Sequence, residues 1–82
     1  MASARSQVRK RSIVLRGHKT SISLEDAFWD AARDIAVRKG ISVGALIEMI
    51  DASRNAHNLS SAIRVFVLED QIKINREGTE RR

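Results

Sequence analysis

The spacing of hydrophobic and polar positions changes several times along the chain, and each change marks an element. Between Lys19 and Leu24 the positions alternate, with Thr20, Ile22 and Leu24 on one face and Lys19, Ser21 and Ser23 on the other. A period of two predicts a β-strand. From Glu25 to Lys39 the spacing becomes helical: Phe28, Ala31, Ala32, Ile35 and Ala36 form one stripe, with Trp29 on its shoulder. Acidic Glu25, Asp26 and Asp30 near the start and basic Arg38 and Lys39 at the end suit the helix dipole. Gly40 stands where a left-handed C-terminal cap is expected. Ser42 then predicts the N-cap of a second helix, which carries Val43, Leu46, Ile47 and Ile50 on one face and runs to about Ser53. After the polar break Arg54–Asn58, a third helix capped by Asn58 or Ser60 carries Leu59, Ile63, Phe66 and Val67, with Val65, Leu68 and Ile72 widening the stripe. Periodicity fades from about Asn75.

Upstream, the β-branched run Ser12–Arg16 followed by Gly17-His18 is compatible with a second strand of a hairpin, or with an arm that tracks a groove. The chain thus divides into a basic flexible arm over 1–11, a folded domain over 12–74 and a charged tail over 75–82. The fold class is mainly α with one short N-terminal β-strand. One strand forms no sheet by itself, so the economical solution pairs it with the same strand of a second copy about a two-fold axis. The expected molecule is an intertwined homodimer with a two-stranded antiparallel ribbon between subunits and an extra C-terminal helix.

Length supports that expectation. Eighty-two residues allow one small domain, which buries too little surface to be robust unaided. Cysteine is absent, which excludes disulfides and thiolate metal sites. Oligomerisation is the remaining route to stability. No residue set suits a shielded catalytic centre, so the chain reads as a non-enzyme without cofactor or metal. His18 and His57 read as turn and loop residues, and Asp26 and Asp30 as a solvated helix start. No stretch reaches the length of a membrane span, and the chain reads as cytoplasmic.

Charge is distributed unevenly. Residues 1–24 hold six basic residues and no acidic one, whereas residues 25–72 hold eight acidic and five basic residues. A basic front on a mildly acidic body is the footprint of a polyanion binder, though a solvated, solubilising N-terminus has the same composition. An outward strand face with Lys19, Ser21 and Ser23, present twice on a ribbon, fits the major groove of B-DNA.

The segment H-K-T-S-I-S-L-E-D-A-F-W-D-A-A-R-D-I-A-V-R-K-G-I-S-V-G-A-L-I resembles the ribbon-helix-helix DNA-binding family, whose members include the Arc and MetJ repressors. The turn G-I-S-V-G-A-L-I, Gly40 to Ile47, is its most specific element. The flanking R-S-I-V-L-R-G and N-L-S-S-A-I-R-V-F-V-L are similar to a bacterial branch with an added C-terminal helix. The resemblance implies base contacts from Lys19, Ser21 and Ser23, and a phosphate held at the N-terminus of the second helix by Ser42, Val43 and Gly44. It implies a dimer core of Ile22, Leu24, Phe28, Ile35, Leu46, Ile47 and Ile50. Arg9, Lys10, Arg11 and Arg16 are expected on phosphates. Gly44 departs from the family, which often has Asn there, and two serines distinguish bases poorly. The implied function is a double-stranded DNA-binding transcriptional regulator, a repressor, acting as a homodimer or a higher oligomer. Two alternatives stay open: an antitoxin-like protein that captures a protein partner through residues 58–72, and an interaction adaptor of the same fold.

Overall fold

The structure, a computed structural model, describes residues 7–53 and 58–80. The expectations for the arm before residue 7 and for His57 lie outside them. Two strands and three helices follow in order: β1 (Val8–Leu15), β2 (His18–Glu25), α1 (Asp26–Lys39), α2 (Val43–Ser53) and α3 (Leu59–Glu80).

The strand read from the alternation pairs within its own chain. β1 and β2 form an antiparallel hairpin whose register runs unbroken from Leu15↔His18 to Val8↔Glu25. The open reading of Ser12–Arg16 is therefore resolved as a second strand, and the inference that a second copy is needed to form a sheet is corrected. β1 also begins at Val8, inside the segment expected as a flexible arm. The turn lies at Arg16-Gly17, one residue earlier than Gly17-His18. Arg16 and Gly17 have φ of 52° and 82°. Positive φ at both central residues matches the right-handed twist of a hairpin, in which a two-residue turn joins the strands.

The helices follow from their caps. Gly40 takes φ 72° and ψ 29°, and its N–H donates to the carbonyls of Ala36 and Val37 at the end of α1. Ser42 Oγ accepts the Ala45 N–H at 3.0 Å, and Asn58 Oδ1 accepts the Ser61 N–H at 2.8 Å. These bonds satisfy N–H groups at the starts of α2 and α3 that have no helical partner. α3 continues through Asn75 to Glu80, past the point where its apolar pattern fades.

One core joins all five elements: Ile13, Ile22 and Leu24 from the hairpin, Ala32, Ile35 and Ala36 from α1, Leu46, Ile47 and Ile50 from α2, and Ile63 and Val67 from α3. Phe28, Trp29, Leu59 and Phe66 pack around it, partly buried. β1 and α3 therefore contribute, within one chain, to a core that includes most of the residues expected in a dimer core.

Candidate nucleic-acid interface

Residues directly across an antiparallel pair share a face, and successive residues alternate. The observed register therefore sorts the hairpin into two faces. Facing the helices are Arg9, Arg11, Ile13 and Leu15 of β1, opposite Leu24, Ile22, Thr20 and His18 of β2. Facing outward are Val8, Lys10, Ser12 and Val14, opposite Glu25, Ser23, Ser21 and Lys19. All of the outward residues are exposed except Glu25, which is half-buried.

This sorting divides the basic residues of the N-terminal segment. Arg9 and Arg11 turn toward α1, where both guanidinium groups meet the Asp26 carboxylate; Arg9 Nε lies 3.3 Å from Oδ2 and Arg11 Nη2 bonds Oδ1. The Arg11 guanidinium also stacks 5.0 Å from the centroid of the Trp29 ring. This arrangement holds the charge against an aromatic face. At the turn, the Arg16 backbone N–H donates to Glu48 Oε2 at 3.1 Å, and its guanidinium lies 3.3 Å from Asp51 Oδ2. Lys10 and Lys19 have no carboxylate partner among the described residues. The one acidic residue of the outer face, Glu25, accepts a hydrogen bond from Arg64 Nε at 2.8 Å. Its carboxyl is held below the usual glutamate range, first by a hydrogen bond to its own backbone and then by Arg64. The outer face is thus positive and hydroxylated, and its acid is already occupied.

The N-terminus of α2 lies beside this face. A Cβ at Gly44 would sit 3.9 Å from the Val14 carbonyl oxygen and 3.9 Å from Ser42 Oγ. The backbone of β1 near the turn therefore abuts the helix start. Ser42, Val43 and Gly44 come together there, with the Ala45 N–H already used by the Ser42 cap. A helix N-terminus favours anions through its free N–H groups and dipole.

The structure thus brings together Lys19, Ser21 and Ser23 on one exposed face, with Ser42, Val43 and Gly44 at its border. Of the residues expected on phosphates, it places Lys10 on the outer face and Arg9 and Arg11 on the opposite one. Among the residues expected in a dimer core, Ile22, Leu24, Ile35, Leu46, Ile47 and Ile50 are buried inside one chain. Sequence reasoning missed that Lys10, Ser12 and Val14 share the face of β2. The sequence carries no clear alternation from Val8 to Leu15, because Arg9 and Arg11 occupy inward positions and Val8 and Val14 outward ones.

A ribbon-helix-helix domain family matches residues 8–71, and the chain belongs to that family. It is a non-enzymatic DNA-binding fold whose members are generally transcription regulators or antitoxins. Among solved structures, an uncharacterized protein from Bordetella pertussis Tohama I is 38% identical, with a TM-score of 0.72 over 94% of this chain. This chain spans 66% of that protein, just under two thirds. No curated protein gives a significant match. Among the described residues, no helix is long and apolar enough to cross a membrane.

Proposed function

We propose that this chain is a double-stranded DNA-binding transcriptional regulator that works as a homodimer, with β2 of each copy laid in the major groove. The observation that carries the reading is the outer hairpin face, where Lys10, Lys19, Ser12, Ser21 and Ser23 stand exposed with no unpaired carboxylate among them. Lys19, Ser21 and Ser23 are the base contacts, Lys19 donating to guanine acceptors and the serines donating or accepting. Phosphate contacts fall to the N-terminus of α2 and to Lys10, the basic residue of β1 on the outer face. Repression needs only occupancy of a promoter, so a repressor is the mode this interface supports. The bacterial source of the similar structure supports action in a bacterial cytoplasm.

The dimer reading draws on the free edge of β2. A two-residue turn closes on a hydrogen-bonded pair, so His18, Thr20, Ile22 and Leu24 bond toward β1. The N–H and C=O groups of Lys19, Ser21 and Ser23 then point away from β1. A second β2 placed antiparallel about Ser21 pairs Ser21 with Ser21 and Lys19 with Ser23. The other edge of the sheet, at Val14, meets the start of α2.

A second reading has one observation in its favour. Val65, Leu68 and Ile72 lie on the face of α3 opposite Ile63 and are 53%, 58% and 45% exposed. An antitoxin-like protein would present such a stripe to a protein partner.

Selection from a random duplex pool at about physiological salt, with competitor DNA present, tests the main reading. Recovery of a short palindromic motif is expected. No retained duplex sinks the regulator reading and turns attention to α3.

A further inference from the structure

We propose that β1 forms the two walls of the DNA-reading sheet, with Lys10 and Ser12 on the phosphates that line the major groove, while Arg9, Arg11 and Arg16 stay within the protein fold. This rests on the reading of β2 as the groove strand of a homodimer. Pairing two hairpins through β2 orders the strands β1-β2-β2-β1. Strands ~4.8 Å apart set the outer pair ~14 Å apart, whereas the major groove is ~12 Å wide. The two β2 strands fit between the phosphate ridges, and each β1 strand then lies over a ridge.

The register fixes what each strand presents. About a two-fold axis at Ser21, the middle row across the sheet reads Ser12, Ser21, Ser21, Ser12. The rows on either side read Lys10, Ser23, Lys19, Val14, in opposite directions. Four lysines thus fall in two tasks: two Lys19 in the groove and two Lys10 on opposite ridges. Lys10 is exposed and has no carboxylate partner among the described residues. A phosphate oxygen is the ligand for such an ammonium group, and the Ser12 hydroxyl donates to the same ridge. Arg9 and Arg11 occupy the opposite face, bound to Asp26, and Arg16 is bound to α2 through Glu48 and Asp51. They tie the sheet to the helices.

Salt dependence of duplex binding separates these roles, because each phosphate neutralised contributes about −0.9 to the log–log slope. The measurement uses the full chain, with circular dichroism to confirm that each variant folds. Lys10→Ala is expected to weaken all sequences alike and to flatten the slope by about 1.8, two phosphates per dimer. Ser12→Ala lowers affinity and leaves the slope unchanged. Arg9→Ala leaves the slope unchanged and lowers the melting temperature. An unchanged slope for Lys10→Ala, or equal flattening by Arg9→Ala, overturns the assignment while the regulator reading stands. If the unaltered chain binds no duplex, both fall.

Discussion

Arg16 holds a backbone conformation that its side chain does not favour. Its φ of 52° lies in the left-handed region, where a non-glycine residue carries a cost on the order of 1–3 kcal/mol. Asn is better suited to that position and, followed by Gly, is the preferred two-residue hairpin turn. Two contacts of Arg16 offset the cost: its N–H bond to Glu48, which any residue except proline keeps, and its ion pair to Asp51, which only a cation keeps. With its Arg16 end open to solvent, the pair is screened and contributes on the order of 1 kcal/mol or less. The side chain therefore holds little that the backbone does not. Arg16→Asn is expected to leave stability unchanged or to raise it by up to ~1 kcal/mol, read from thermal unfolding by circular dichroism. A loss clearly above ~1 kcal/mol would show that the Asp51 pair, rather than the turn geometry, holds the hairpin to α2.

The two capped helix starts share a local chemistry and differ in what surrounds them. Ser42 and Asn58 each accept the N–H three residues on, and replacing either by Ala is expected to cost ~1 kcal/mol in stability. The start of α2 borders the outer face of the hairpin at Val14. Ser42→Ala should therefore also weaken duplex binding in a titration, whereas Asn58→Ala should not. Equal effects on binding would show that both act through stability and that α2 holds no phosphate. These starts were legible in the sequence because a cap is written in one or two residues, as in Gly40 followed by Ser42. Half of the candidate site was legible for a similar reason. Thr20, Ile22 and Leu24 are apolar or weakly polar on their inward face, so Lys19, Ser21 and Ser23 stood out as the other face. β1 gave no such contrast. Its inward Arg9 and Arg11 are polar by composition and become inward only through Asp26 of α1 and the ring of Trp29, which are distant in sequence. The end of α3 was missed for the opposite reason: from Asn75 onward no residue has an apolar side chain, so no apolar stripe announces that the helix continues to Glu80.

At the scale of the whole molecule, the question is what a second copy adds when one chain already buries Leu24, Leu46, Ile47 and Ile63 completely. The resemblance implied a core shared between two chains; β1 and α3 add layers to that core within one chain, and the contact in question is the sheet edge. An unpaired sheet edge invites another strand unless proline, a bulge or a covering element blocks it. The chain has no proline, the register is unbroken, and α2 reaches the β1 edge at Val14. The β2 edge is the one whose outward groups match a two-fold copy of themselves. Proline tests this directly, because it removes one N–H and is tolerated in a strand where that N–H faces outward. The N–H groups of Ser21 and Ser12 both point out of the hairpin, on opposite edges, so neither substitution breaks a bond between β1 and β2. Ser21→Pro is expected to halve the mass in sedimentation equilibrium and to abolish duplex binding while helicity persists. Ser12→Pro, with the same local strain, is expected to remain dimeric. A dimer that survives Ser21→Pro, or dissociates equally with Ser12→Pro, would move the contact away from β2 and toward the exposed stripe of Val65, Leu68 and Ile72 on α3.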